Sequence, residues 1–342
     1  MIDCIFTLDY EIYGNGTGSL KDLVYEPGEW IRNIFNKWRA PMVAFVEVAE
    51  FEKIESCGTD PAIDLVKQQI KDFRRHGFEI ALHLHPQWFN ARYEDGRWLL
   101  DFSEYNLCTL SRTRITQIVE RSLDYLQHAA GMAHFVPLSF RAGNWLFQPT
   151  ETAASVLAEK GIRIDSSVFK GGLQHHYDLD YRSAMKNGFY WPFESDVNQP
   201  DSNGSWIEVP IYAEMVPFWK MPTAKRMSFG NSFGKKGHGV RQKLNRARDF
   251  MRFRYPLKLD FCRMSLEELT SMMQKIIEED QVQPDLYRPV VSIGHTKDFV
   301  DPQTLEAFLS FLDVMGISVT TFEAVYSNLQ EHKEQSLICS RQ

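Results

Sequence analysis

Two apolar runs of the chain end in groups that bind cations and move protons. "TLDYE" (7–11) places Asp9 and Glu11 two residues apart, and "HLHP" (83–86) places His83 and His85 at the same spacing. A β-strand has a period of two. In "FEIALHLH" Phe78, Ile80, Leu82 and Leu84 therefore form one apolar face, and Glu79, Ala81, His83 and His85 share the other. Same-face neighbours stand about 6.6 Å apart, so two imidazoles can converge on one ion at about 2.0–2.1 Å from each nitrogen. In "IDCIFTLDYE" the same period groups Ile5, Thr7, Asp9 and Glu11 opposite Cys4, Phe6, Leu8 and Tyr10. If both runs are parallel strands of one barrel, their polar ends meet at the C-terminal rim, where barrel active sites are built. The result is a site of two histidines and one carboxylate. The bland alternative is a pair of hydrogen-bonded core histidines with two surface acids. One histidine alone would favour it, but two pairs in matching phase favour the metal.

Positioning such groups requires a scaffold of strands, and the chain offers one. "PMVAFVEV" (41–48), "FVPLSFRA" (135–142), "IRIDSSV" (162–168), "WIEVPIY" (206–212), "RPVVSIGH" (288–295) and "ISVTTF" (317–322) join the first two runs as strand candidates. Amphipathic stretches of helical period separate most of them, the pattern of βα units in an α/β barrel of seven or eight strands. Asp60–Pro61 reads as an N-cap with a first-turn proline, and Ser265 with Glu268 has capping-box spacing. Gly77, Gly161 and Gly316 each follow a helical stretch, as left-handed C-caps do. Residues 170–262 break the rhythm and read as an irregular insertion with one barrel strand inside a single catalytic domain, 1–342.

Composition sets the class of partner. Of 342 residues, 44% are hydrophobic and 24% charged, a balance that buries a core and excludes a disordered chain. No apolar run approaches the roughly 20 residues of a bilayer span, and the first residues carry acids where a secretory leader carries Lys or Arg. A cytoplasmic location is expected. Five scattered cysteines without a CxxC pair read as reduced and structural. The net charge of −7 hides an asymmetry: residues 220–258 hold twelve Lys or Arg against Asp249 alone, about +11, leaving about −18 on the remainder. A solvated charged helix is the bland reading of that stretch. The sharper ones are contact with an anionic glycan or an anionic membrane surface. No nucleic acid is expected, since no binding motif accompanies the charge.

Five motifs in order resemble those of the polysaccharide deacetylases, the NodB-homology group or carbohydrate esterase family four: "TLDYE", "HLHP", "FRAGNW" (140–145), "IDSSV" (164–168) and "VSIGH" (291–295). The resemblance implies an irregular seven-stranded (β/α) barrel and metal-dependent removal of an N-acetyl group from a sugar, as in exopolysaccharide assembly. It implies Asp9 as base, Glu11, His83 and His85 as ligands of a divalent ion, most simply Zn²⁺, and His295 as general acid. Arg141 would hold the base carboxylate and Asp165 would orient His295, although a strand-end "DSS" can also serve only as a helix cap. Asp298 either supports the site or begins a helix. Among Trp88, Trp145, Trp191 and Trp219, each as readily core as sugar platform, Trp145 is taken with Tyr10 for substrate contact. The sugar would be free, nucleotide-linked or lipid-linked. Two features depart from the family pattern: Tyr10 separates the two acids, and the histidines stand two apart rather than four. The alternatives are an allantoinase-like hydrolase, a glycosidase, or a barrel that only binds glycan.

Overall fold

A computed structural model describes residues 1–185, 188–221 and 253–332 of the chain. Nine strands form its main sheet. Seven run parallel in the order β11 (Trp206–Glu208), β7 (Ile164–Asp165), β6 (Ser139–Ala142), β3 (Glu79–Leu84), β2 (Val43–Glu47), β1 (Ile2–Tyr10) and β14 (Arg288–His295). β10 (Trp191–Phe193) adds an antiparallel edge to β11, and β15 (Ser318–Thr320) pairs with the start of β1. All eight strand candidates of the sequence lie in this sheet, and β10 is the addition.

The sheet curls until its ends meet. Ile211 bridges both Phe169 and Val291, and Asp260 bridges Ile293, so residues 211–212 and 259–261 close the seam against β14. Backbone bonds from Tyr212 N to Val291 O (3.1 Å), Leu259 N to Tyr212 O (2.8 Å) and Ile293 N to Leu259 O (2.9 Å) stitch it. This is the expected irregular seven-stranded barrel. Three small antiparallel pairs decorate it: β4 (Arg92–Glu94) with β5 (Arg97–Leu99), β8 (Leu173–Gln174) with β9 (Leu179–Asp180), and β12 (Ala213–Pro217) with β13 (Arg254–Lys258). Most of the basic stretch, residues 222–252, lies outside the described residues.

Helices α1 (Glu26–Trp38), α2 (Val48–Cys57), α3 (Ile63–Arg75), α4 (Arg112–Ala130), α5 (Glu151–Glu159), α6 (Leu266–Val282), α7 (Pro302–Val314) and α8 (Phe322–Glu331) accompany the sheet. The outward face of β1 shows why they stay: Phe6 meets Phe35 of α1, Phe261 and Phe308 of α7 edge-on, at 5.2, 5.4 and 5.8 Å between centroids. Ser265 and Glu268 form the capping box of α6, and Gly77, Gly161 and Gly316 take left-handed φ of 79°, 99° and 68°. Asp60 departs from its expected role. Its carboxylate accepts from Ala62 N and Leu20 N, tying a turn to the β1 loop, and α3 begins after Ala62. Among the described residues no helix is long and apolar enough to cross a membrane.

Period and register bring the polar ends level. Asp9 lies beside His295, Glu47 beside His83, and His83 beside Arg141. The close approach of β14 to the seam depends on Gly294, where a Cβ would stand 2.3 Å from Phe261 Cζ and 2.7 Å from Cys262 Sγ. Gly294→Ala is expected to cost about 1–3 kcal/mol by overpacking. Urea unfolding should show a lower midpoint at unchanged slope.

Candidate metal centre and proton-transfer groups

At the C-terminal rim, donor atoms of Glu11, His83 and His85 lie within 4.8 Å of one another, and so do those of Asp9, Glu11 and His295. All five residues are buried. Glu11 Oε2 is 3.0 Å from His85 Nε2 and 3.6 Å from His83 Nε2, and the two imidazoles stand perpendicular with centroids 4.9 Å apart. The other carboxylate oxygen, Oε1, accepts from Lys297 Nζ at 2.7 Å. Burial pushes the Glu11 carboxyl up, but Lys297 and the histidines outweigh it and hold it well below the usual range. Burial likewise pushes both imidazoles down. At His83 the charges of Asp9 and Glu11 overcome it, whereas at His85 burial prevails.

The donor set fits a divalent cation. His83 Nδ1–H donates to the Arg141 carbonyl at 2.9 Å, which fixes the tautomer and leaves Nε2 with a free lone pair toward Glu11. His85 Nδ1 is flanked at 3.2 Å by the carboxamides of Gln87 and Asn144. Gln87 Oε1 is buried without a partner. A half turn of both carboxamides would bring Oε1 of Gln87 and Oδ1 of Asn144 to Nδ1–H, satisfy the orphan and free Nε2 of His85 as well. Two neutral imidazoles and one carboxylate oxygen then face one point, a donor set typical of zinc and related ions.

Asp9 sits between two partners. Arg141 Nη1 donates to Oδ1 at 2.5 Å, and His295 Nε2 lies 3.4 Å from Oδ2. Burial pushes the Asp9 carboxyl up, but Arg141, His83 and His295 together hold it below its ordinary value. Arg141, fully buried, also bonds Thr7 Oγ1, Ser166 O and Ser166 Oγ, and its plane covers the Phe45 ring at 4.2 Å. Burial pushes the His295 imidazole down to about 4, against the pull of Asp9 and Asp298.

Two expected contacts are corrected. Tyr10 shares the outward face of β1 with Phe6 and Leu8, packs edge-on against Phe51 and Phe73, and donates to Gln69 Oε1 of α3. It is fully buried beneath helices and cannot touch a substrate at the rim. Asp165 is in register with Phe140, the residue before Arg141, so it faces the opposite side of the sheet from Arg141. There it accepts from Ser167 and bonds Glu208, and burial pushes both carboxyls up. The carboxylate on the Nδ1 side of His295, opposite Asp9, is Asp298, 3.7 Å away and itself bonded by Arg263 at 2.7 and 2.6 Å.

Trp145 does lie at the mouth, edge-on to His295 at 6.3 Å between centroids, but Lys258 covers one face of its indole. Trp88 and Trp191 are core, and Trp219 is exposed. Sequence reasoning missed Lys297, Gln87, Asn144 and Lys258. Only Lys297 had a signal, its place two residues after His295.

No protein-family model and no curated protein matches the chain. Solved structures do. One from Mycobacterium smegmatis superposes with a TM-score of 0.53 at 14% identity, over 97% of this chain and 91% of that one. Another, from Pseudomonas aeruginosa PAO1, gives 0.51 at 11% identity, over 97% and 92%. Both are provisionally named polysaccharide deacetylases.

Two measurements probe the site. His83→Ala and His85→Ala should each lower the zinc retained on dialysis, read by elemental analysis; unchanged content in both would reject the centre. Arg141→Met should cost about 3–5 kcal/mol at pH 7, because it strands a buried carboxylate. The folded pKa of Asp9 is depressed, so the stability its ionisation contributes is present above its unfolded value, about 3.9, and is lost as pH falls through the folded one. Urea midpoints of wild type and variant should therefore converge in acid. What likeness establishes is the architecture: the chain has the polysaccharide deacetylase fold, and the groups described above stand at the rim of that barrel.

Proposed function

We propose that this protein is a metal-dependent hydrolase that removes an N-acetyl group from a sugar, in the assembly of a surface polysaccharide. The observation that carries the reading is Asp9, held between the Arg141 guanidinium and the His295 imidazole beside a triad suited to a cation. Amide hydrolysis needs an activated water, a stabilised oxyanion and a proton for the departing amine. Glu11, His83 and His85 would hold the ion, which when bound supplies Lewis acidity and lowers the pKa of water.

The chain's own groups account for the proton. Asp9 is anionic at neutral pH and faces the rim, so it is the acceptor for a proton from water. His295, pushed down to about 4, is neutral at the start and cannot yet donate from Nε2 as an imidazolium. The 3.4 Å between Asp9 Oδ2 and His295 Nε2 lets the proton pass from one to the other. The imidazolium so formed is a strong acid, well matched to an amine leaving group. Asp298 steadies it from the Nδ1 side.

Acetate release should be measured over free N-acetylated sugars, nucleotide sugars and lipid-linked sugars, with and without a chelator. Activity should vanish on metal removal and return with Zn²⁺. Asp9→Asn should lower kcat about 10²–10⁴-fold, the usual weight of general-base catalysis. A silent panel with metal bound would overturn the reading. Acetate release that survives chelation would overturn the metal dependence, and chelator-resistant release of reducing sugar without acetate would indicate a two-carboxylate glycosidase instead.

A further inference from the structure

Lys258 ends β13 at the mouth of the barrel. Its Nζ stands 3.0 Å above the centroid of the Trp145 ring and 4.4 Å from that of Phe169, and Trp145 in turn abuts His295. Among the described residues no oxygen accepts a hydrogen bond from this ammonium and no carboxylate pairs with it. The acids whose charge reaches it are committed elsewhere: Asp260 Oδ1 accepts from Cys262 N and Arg263 N at 3.0 Å each, and Asp9 accepts from Arg141. A lysine head has three donors. Two aromatic faces recover only part of the hydration it gives up. Burial accordingly pushes its pKa well below the lysine range. Such a group is poised for an acceptor that arrives from outside.

We propose that Lys258 recognises an oxyanion, a phosphate ester or a carboxylate, carried by the substrate beside the acetamido group. Three observations converge on it. The ammonium lacks an acceptor among the described residues, and it is fixed in direction by Trp145 and Phe169. It also closes a stretch, residues 220–258, whose charge of about +11 contrasts with the acidic remainder. An anionic ligand would replace missing water at the ammonium with a charge-assisted bond. A neutral sugar offers only hydroxyls to the same point. The inference rests on the deacetylase reading for the sugar, but not for the anion.

Calorimetric binding to the zinc-loaded protein tests it with N-acetylglucosamine, its 1-phosphate and 6-phosphate esters, its UDP conjugate and the corresponding N-acetylated uronate. Lys258→Met keeps the apolar stem over the rings, and Lys258→Arg keeps the charge. Wild type should bind at least one charged sugar about ten- to a hundredfold more tightly than the neutral one. Lys258→Met should abolish that preference without changing affinity for the neutral sugar, and Lys258→Arg should retain most of it. The esters, conjugate and uronate separate phosphate from carboxylate sources. Equal binding of charged and neutral sugars, a preference that survives in Lys258→Met, or no binding of any probe would overturn the proposal. Charge-selective binding without acetate release would sink the activity alone; acetate release indifferent to charge would sink the role of Lys258 alone.

Discussion

A single guanidinium holds the chemistry of this barrel together. Burying a cation as large as that of Arg141 costs several kcal/mol unless its N–H groups find acceptors. Here Nε, Nη1 and Nη2 reach Ser166, Asp9 and Thr7, on three separate segments of the chain. The backbone carbonyl of the same residue accepts from His83 Nδ1. One residue thus sets the ionisation of Asp9 and the tautomer of His83. Any shift of β6 against β1 would disturb both.

Around that cation the rim balances an excess of acid by unequal means. Asp9 and Glu11 face Arg141 and Lys297 and stay ionised, whereas Glu47 and Glu50 answer mostly to burial, which pushes Glu47 up to about 8 and Glu50 well above its ordinary value. Glu47 nevertheless has a structural duty: it accepts from His85 N at 2.8 Å and from Glu50 N, so it caps α2 and fixes the end of β3 together. Asp9 and Glu11 answer to cations and are charged; Glu47 and Glu50 answer to burial and bond backbone N–H groups.

Much of this was legible from residue order. The paired spacing of Asp9 with Glu11 and of His83 with His85 gave the face on which each would lie, and parallel pairing did the rest. Where the reading failed, the cause is specific. β1 is buried on both sides, so burial did not separate Tyr10 from its inward neighbours, although its phase with Leu8 already did. Asp165 lies in a strand of two residues, too short for a period to show. Lys258 reaches Trp145 across more than a hundred residues, through a seam that no local pattern announces.

That seam carries a consequence of its own. The ladders that align Asp9, His83, Arg141 and His295 run among β1, β3, β6 and β14 and their neighbours. The β12–β13 hairpin touches this frame chiefly where 211–212 and 259–261 are stitched to β14. On the proposals made above, reactivity and selectivity occupy different parts of the chain. What the mouth admits could then be exchanged by rewriting one appendage, while the ladders that align the rim residues stay in place.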